Sequence, residues 1–582
     1  MKKFLTTLLL AVLAIGILPV QAQVASTDEL TELAAYIPEE SPLFLVTRSD
    51  PGFIETLDGL GANVAGQVGF PVASPLSEAL EDSATLIDPE GDFETLIGRW
   101  LGDTVAIAAL SPDQFFSTGS LYAFMSVTDE LTASKYINLA IEATGHEDDY
   151  TVSEFAGGTL YAAPQDMSWY SSYWLAEDVL VVSDNSYDGF LYEPPQATLA
   201  DSTTFTETLG LLPEPAYHAL AYIDVPVLMD RLLTENPMDE DVATYFPDMD
   251  FEAVLTSTSA QAWGFTILEG RSLTVDFAQT VDIAAMEAAG FDWSASTSIN
   301  ADFASYVPAD AALVLQDSDL GASILETLNM LTLIGEAVSA RQGEYYTDPM
   351  YYYSQADAEQ AMAMLDETVT FLRLAYQGLS GTPLEESLAW MTGDYAVYLG
   401  FPLVNDERGL DVGVIQTVTD PAAAESFSQA LQAILDSWGA SYQQEGNIVT
   451  LSSLNDLVTR AQEADLEAGI SPISLDILFG YDDAIFALGT RSGVESAFNG
   501  GESLADSAIF QAASAYMLPE TQALVYVNGD NLSIGLDWLA EQNPRDAAEL
   551  AMLANIMESA SLTASYDETG TGLVRFVVTL SQ

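Results

Sequence analysis

Two spacings of apolar residues alternate along the chain and set its expected elements. Short apolar runs bounded by turn residues fall at 121–127, 159–163, 179–183 and 217–223, and each reads as a β-strand. Between them the spacing changes to that of a helix. From Thr128 or Asp129, either of which can cap a first turn, Tyr136, Ile137, Ala140 and Ile141 share one face until Gly145 closes the segment. A second such segment opens at Thr419 or Asp420 with Pro421 in its first turn. It sets Phe427, Ala430, Leu431, Ile434, Leu435 and Trp438 on one face and stops at Gly439. Residues 225–233 read as a further helix leading out of the 217–223 strand.

The same landmarks return later in the same order. Leu33-Ala34-Ala35-Tyr36-Ile37-Pro38-Glu39 is answered by Phe303-Ala304-Ser305-Tyr306-Val307-Pro308-Ala309. Trp100-Leu101-Gly102-Asp103 is answered by Trp390-Met391-Thr392-Gly393-Asp394, and Val127-Thr128-Asp129 by Val418-Thr419-Asp420. Leu212-Pro213-Glu214, ahead of the strand at 217–223, is answered by Leu518-Pro519-Glu520 ahead of Ala523-Leu524-Val525-Tyr526-Val527. Each half ends on two strand-like runs, 262–268 with 273–279 and 562–566 with 573–580, with Gly270 and Gly570 in the turns. Preserved order with growing separation reads as a duplication followed by insertions in the second copy. One insertion lies between Leu315 and Trp390, the other between Leu451 and Leu475. In the first, 320–342 and 354–377 both show helical spacing, the latter through Met362, Leu365, Val369, Leu372 and Tyr376.

The expected fold class is therefore α+β: two homologous tandem domains at 23–282 and 303–582, each an antiparallel or mixed sheet with helices packed on one side. A small-residue stretch, 283–302, reads as the linker, and the second copy carries a helical insertion near 320–378. The ordered pieces resemble a family of exported bacterial proteins known as domain of unknown function 3352. Its members carry Leu-Pro-acid segments before a strand–helix unit, as in Leu518-Pro519-Glu520 and, less strictly, Ile37-Pro38-Glu39. The resemblance spans most of residues 33–582; it implies an extracytoplasmic place and brings no activity, substrate or catalytic residue with it.

The first 22 residues read as a signal peptide, with Lys2 and Lys3, an apolar run from Phe4 to Val20, and small residues around Ala22 for cleavage. An uncleaved anchor is the alternative. No later segment reads as a membrane span, so the expected place is secreted or extracytoplasmic. The chain has no Cys, so its stability rests on side-chain burial rather than disulfides. Acidic residues number 88 against 14 basic ones, a formal net charge of −74, and Lys135 is the one lysine after residue 3. Such a surface repels nucleic acid and anionic lipid, both of which bind through cationic contacts. Salt is expected to relieve the self-repulsion, since screening shortens to ~3 Å at 1 M.

The absence of Cys removes thiol nucleophiles, iron–sulfur clusters and thiolate zinc sites. Of the two histidines, His218 lies in an apolar strand pattern and reads as a buried structural residue. His146 follows the helix-closing Gly145 and reads as a solvated loop residue. No nucleophile elbow, His-Glu-x-x-His or phosphate loop occurs, so no catalytic residue and no cofactor is expected. Weak divalent-cation binding has two candidate clusters, Asp88-Pro89-Glu90-Gly91-Asp92 and Asp239, Asp241, Asp248, Asp250 with Glu252; neither has EF-hand spacing. Two aromatic groups form a candidate binding surface for a protein or glycan at the cell surface: Trp169, Tyr170, Tyr173 and Trp174 in one loop-like stretch, and Tyr345, Tyr346, Tyr351, Tyr352 and Tyr353 in another. The alternative is that these rings cover a core edge. The reading that follows is an exported, non-enzymatic binding or structural protein of unknown ligand. Its rival is a secreted hydrolase working with carboxylates alone, glycosidase-like.

Overall fold

The computed structural model describes residues 24–68, 75–118, 121–164, 170–184, 192–235, 257–268, 271–288, 297–328, 370, 373–404, 407–437, 439–451, 476–542 and 556–581. They fall into two compact units. The described parts of Met1–Pro237, Glu252–Ala288 and Asp567–Leu580 form the first, those of Ala289–Tyr566 and Ser581–Gln582 the second.

The first unit holds β1 (Ala25–Ser26), β2 (Leu43–Arg48), β3 (Leu101–Ala109), β4 (Tyr122–Val127), β5 (Thr151–Phe155), β6 (Gly158–Ala162), β7 (Ser171–Leu175), β8 (Val179–Asp184), β9 (Ala216–Tyr217), β10 (Ala219–Ile223), β11 (Thr258–Leu268) and β12 (Ser272–Val281). They build an antiparallel sheet in the order β12-β11-β10-β2-β3-β4-β8-β7-β6-β5. The two-residue strands β1 and β9 pair beside it.

Alternation along β4 divides its side chains between two cores. Tyr122 and Phe124 join Phe205 and Leu209 of the helix Thr203–Leu209 on one face. Ala123 and Met125 join Tyr136, Ile137 and Ile141 of the helix Glu130–Glu142 on the other. Helices therefore cover both faces of this sheet, where one covered face was expected. The reason lies in its central strands, where β3 from Thr104 and most of β4 carry buried residues on both faces rather than alternating, and so need cover on both sides. Asp129 caps the Glu130–Glu142 helix by accepting from the Thr132 amide, as its position predicted.

The second unit holds β13 (Ala311–Ser318), β14 (Asp394–Gly400), β15 (Leu403–Val404), β16 (Glu407–Arg408), β17 (Asp411–Thr417), β18 (Tyr442–Glu445), β19 (Ile448–Leu451), β20 (Ile477–Tyr481), β21 (Ile485–Thr490), β22 (Ala523–Asn528) and β23 (Met557–Tyr566). Its antiparallel order is β23-β22-β13-β14-β17-β21-β20-β19-β18, with β15 and β16 as a separate hairpin. Here too both faces are covered: Val494, Ala497 and Phe510 from short helices on one, Ala424 and Leu435 of the helix Pro421–Ser437 on the other. Gly439, just past that helix, takes φ +66°, a left-handed conformation that favours glycine.

β24 (Thr571–Leu580) belongs to the first unit, where it pairs antiparallel with β12 from Ser272↔Thr579 to Thr280↔Thr571. Its Arg575 stands opposite Asp276, and the pair is buried and bidentate: Nε donates to Oδ1 at 2.6 Å and Nη2 to Oδ2 at 2.9 Å. Nη2 also reaches Glu214 Oε1 at 2.8 Å. The Tyr217 hydroxyl donates to Asp276 Oδ2 at 2.9 Å and accepts from the Glu214 amide at 3.0 Å. A side chain at Gly264 would overlap the Tyr217 ring, so that glycine lets the ring lie flat on the sheet.

Other expectations meet the structure unevenly. Within the stretch expected to link the domains, Ile283–Ala288 is a helix. In the expected helical insertion, 320–328 and 373–380 are helical; 329–369 lie outside the described residues, as does the expected signal peptide at 1–22. Among the described residues, no helix is long and apolar enough to cross a membrane.

Candidate functional site

Three of the sequence landmarks converge in the first unit around a half-open groove of about 680 Å³. Tyr36 comes from a 3-10 turn (Glu32–Tyr36), Gly102-Asp103 from the start of β3, and Thr128 from just past the end of β4. Long-range hydrogen bonds hold these segments together. The Thr128 amide and hydroxyl both donate to the Trp100 carbonyl, at 2.8 and 3.1 Å. Ser49 donates from its amide to Asp103 O at 2.9 Å and from its hydroxyl to Gly102 O at 2.7 Å. The Val127 amide donates to Asp178 O at 2.8 Å, which fixes that acid at the groove wall.

The β3–β4 register shifts between Leu101 and Val105, and this irregularity lies at the groove floor. Bulged strands re-aim side chains in this way beside sites. Ser126 bridges it, donating from Oγ to Thr104 O at 2.9 Å and accepting from the Thr104 amide at 3.1 Å. A Cβ on Gly102 would overlap Ser126 Oγ and crowd the β4 backbone. Gly102→Ala is therefore expected to cost about 1–3 kcal/mol by overpacking, read as a lower urea midpoint. An unchanged midpoint would mean the bulge can slide.

The wall is mostly anionic: Glu29, Glu32, Asp103 and Asp178, with Arg48 as the cation lining it. Arg48 binds Asp50 through Nε at 2.7 Å and Nη2 at 2.6 Å. Glu29 completes a capping box with Ser26: the Ser26 amide donates to Glu29 Oε2 at 2.8 Å, and Ser26 Oγ accepts from the Glu29 amide at 3.2 Å. The Ser26 backbone and side-chain hydrogen bonds, with Arg48 nearby, hold the Glu29 carboxyl below its ordinary range. The Tyr36 hydroxyl, half-buried beside Asp178, moves the other way: burial first, then the Asp178 charge, raises its pKa. Polar acceptors and hydroxyls around one opening suit a small polar ligand held by hydrogen bonds.

Of the nine aromatic residues proposed from sequence, Tyr170, Tyr173 and Trp174 are among the described residues. Tyr173 and Trp174 lie in β7, where a loop was expected; they are 2% and 3% exposed, in the cores on opposite sides of the sheet. The Trp174 indole donates to Phe155 O at 2.9 Å. Tyr170 is half-buried against the His146 ring at 5.3 Å. Trp169, Tyr345, Tyr346, Tyr351, Tyr352 and Tyr353 lie outside the described residues. So do Asp239, Asp241, Asp248 and Asp250. In the 88–92 cluster, Asp88 Oδ1 accepts from the Glu90 amide, and Asp92 Oδ1 from the Thr95 amide, which uses both acids in local turns. Among the described residues no group of three or more acids and histidines is placed to hold a metal.

His218 is fully buried, stacked on Phe53 at 5.5 Å, and its Nδ1 accepts from the Ile267 amide at 3.1 Å. His146 lies in an exposed turn with Nδ1 3.1 Å from Asp149. Sequence reading missed Arg48, Thr104, Ser126 and Asp178. For Arg48 a signal existed: it is one of 14 basic residues in a strongly acidic chain, at the end of an apolar run.

No curated protein matches this chain. A solved structure titled "Structure of crystal form III of TP0453" aligns at 10% identity over 43% of this chain and 79% of that one, with a TM-score of 0.21. So low a score carries no argument. A family model, by contrast, matches residues 4–580, nearly the whole length, and the chain belongs to that family, described as Protein of unknown function (DUF3352).

Proposed function

We propose that this chain is an exported, non-enzymatic binding protein built from two copies of one α+β unit, with the Tyr36–Asp103–Thr128 groove as the ligand-contacting face of the first copy. One observation carries the reading: three of the four segments that repeat in the sequence frame the groove.

Support for the duplication comes from hydrogen bonds that recur at matched places. Pro38 bridges to Thr198, and Pro308 to Ser503. The Leu199 amide donates to Ile37 O at 2.8 Å, and the Leu504 amide to Val307 O at 2.8 Å. Capping boxes follow at Thr198/Asp201 and Ser503/Asp506, and then Ser202 and Ser507 cap the next helices. The Thr128 hydroxyl donates to Trp100 O, and the Thr419 hydroxyl to Trp390 O. Strand order agrees as well, since β2-β3-β4-β8-β7-β6-β5 matches β13-β14-β17-β21-β20-β19-β18.

Glu29, whose carboxyl is held low by its Ser26 hydrogen bonds, does not suit the general-acid role in a glycosidase, which needs a raised pKa. The deciding experiment is a thermal-shift screen with amino acids, oligopeptides and oligosaccharides, run on the wild-type chain and on Tyr36→Phe and Asp103→Asn. At least one compound is expected to raise the melting temperature, with affinity falling about 10-fold in either variant, the worth of one hydrogen bond to a charged group. Release of product from chromogenic glycosides, lost in Asp103→Asn, would replace binding by catalysis.

A further inference from the structure

We propose that the second unit contains a proton-linked anchor, in which Asp411 holds the start of the helix Arg491–Asn499 as a buried carboxylic acid and loosens it on losing the proton. This inference is independent of the groove.

Asp411 is the first residue of β17 and is 1% exposed. Its Oδ1 accepts from the Thr490 hydroxyl and, at 3.3 Å, from the Gly493 amide, in the first turn of that helix. Thr490 occupies the capping position yet makes no side-chain cap of its own, because its hydroxyl is turned to Asp411. The carboxyl from a distant strand thus does the work of an N-cap. Oδ2 is enclosed and accepts no hydrogen bond of its own.

The groups facing this carboxyl offer no compensating charge. From β14 comes the Tyr398 phenol, and from the turn before β13 the Asp310 carboxyl. The helix contributes Ser492, Arg491 and Glu495, but the Arg491 guanidinium is held by Asp476 at 3.2 Å and Glu495 at 2.7 Å. A Cβ at Gly413 or Gly493 would overlap the hydroxyl end of Tyr398, so backbone closes around the phenol on two sides. An ionised carboxylate here is desolvated beside a second acid; a neutral one gives Oδ2 a proton to donate.

Burial pushes Asp411 up to about 6, the Thr490 hydrogen bond works against it, and Asp310 adds to the rise. Asp310 is itself raised by burial. The sign follows: with the folded value above an unfolded value of about 3.9, the stabilisation is full below about pH 4 and is lost as pH rises past 6.

The test is thermal unfolding of the full chain, wild type against Asp411→Asn, at constant ionic strength. Asparagine keeps the Oδ1 acceptor and cannot ionise. At about pH 8 the variant is expected to melt higher by on the order of 5 °C, and near pH 4 the difference is expected to vanish. A difference that does not change with pH overturns the proposal. Should the variant fail to fold, hydrogen exchange in the wild-type chain decides. Amides of the helix Arg491–Asn499, corrected for intrinsic rates, are expected to be less protected at about pH 8 than at about pH 5, and equal protection overturns it.

Discussion

Arg575→Met is expected to destabilise the first unit by about 3–5 kcal/mol, because it removes one partner of a buried pair. Asp276 has no exposed surface, and both its oxygens are committed to the Arg575 guanidinium. With that guanidinium gone, the Tyr217 hydroxyl remains as a donor, and the carboxylate must be protonated or left as a buried charge. Glu214 loses its partner as well, though it is half exposed and costs less. Urea unfolding monitored by far-UV circular dichroism reads the effect. Replacing both members, Arg575→Met with Asp276→Leu, is expected to recover most of the loss, since an apolar pair leaves no buried charge. A single-variant loss below about 1 kcal/mol would mean water reaches Asp276.

Trp100→Ala is the second large change, with an expected loss of about 3–5 kcal/mol from the cavity it leaves. The indole is fully buried, lies 5.2 Å from the Tyr136 ring, and donates through Nε1 to Leu96 O at 2.8 Å. Its sequence counterpart Trp390 is nearly as buried and sits 5.9 Å from Phe486, but its Nε1 has no hydrogen-bond partner among the described residues. The Ala substitutions are therefore expected to cost similar amounts. Trp→Phe is expected to cost about 1 kcal/mol more at 100 than at 390, the net worth of one hydrogen bond. Equal costs in the two Phe variants would show that the Leu96 bond adds nothing to stability.

Local chemistry was the legible part of this chain. Asp129 and Pro421 start their helices, and Gly439 follows the second in the left-handed conformation, because caps and glycines act within a few residues. β7 forms where a loop was expected: Ser171 to Leu175 is buried on both faces, so no alternation marks it. Ile283–Ala288, in the stretch expected to link the domains, is a helix in which alanine, the best helix former, is frequent, and the first unit's segment ends at Ala288. The similar Leu199-Ala200-Asp201-Ser202 and Leu504-Ala505-Asp506-Ser507 segments are short 3-10 turns and carry neither strand nor helix spacing. At the groove, Tyr36, Gly102, Asp103 and Thr128 were visible as repeated landmarks. Their meeting, and the arrival of Arg48 and Asp178, depends on the pairing of β2, β3, β4 and β8, which local spacing does not encode.

The placement of β24 also sets an order of events during synthesis. A chain made from its amino terminus delivers β12 long before residues 571–580 exist. Until they arrive, β12 presents an unpaired edge able to recruit strands from neighbouring nascent chains, and Asp276 waits on it without its cation. The first unit is therefore among the last parts of the molecule to be finished. A chain that stops short of residue 571 would leave that edge open for good and lose the buried ion pair with it, so the damage of a late nonsense mutation would fall on the amino-terminal unit.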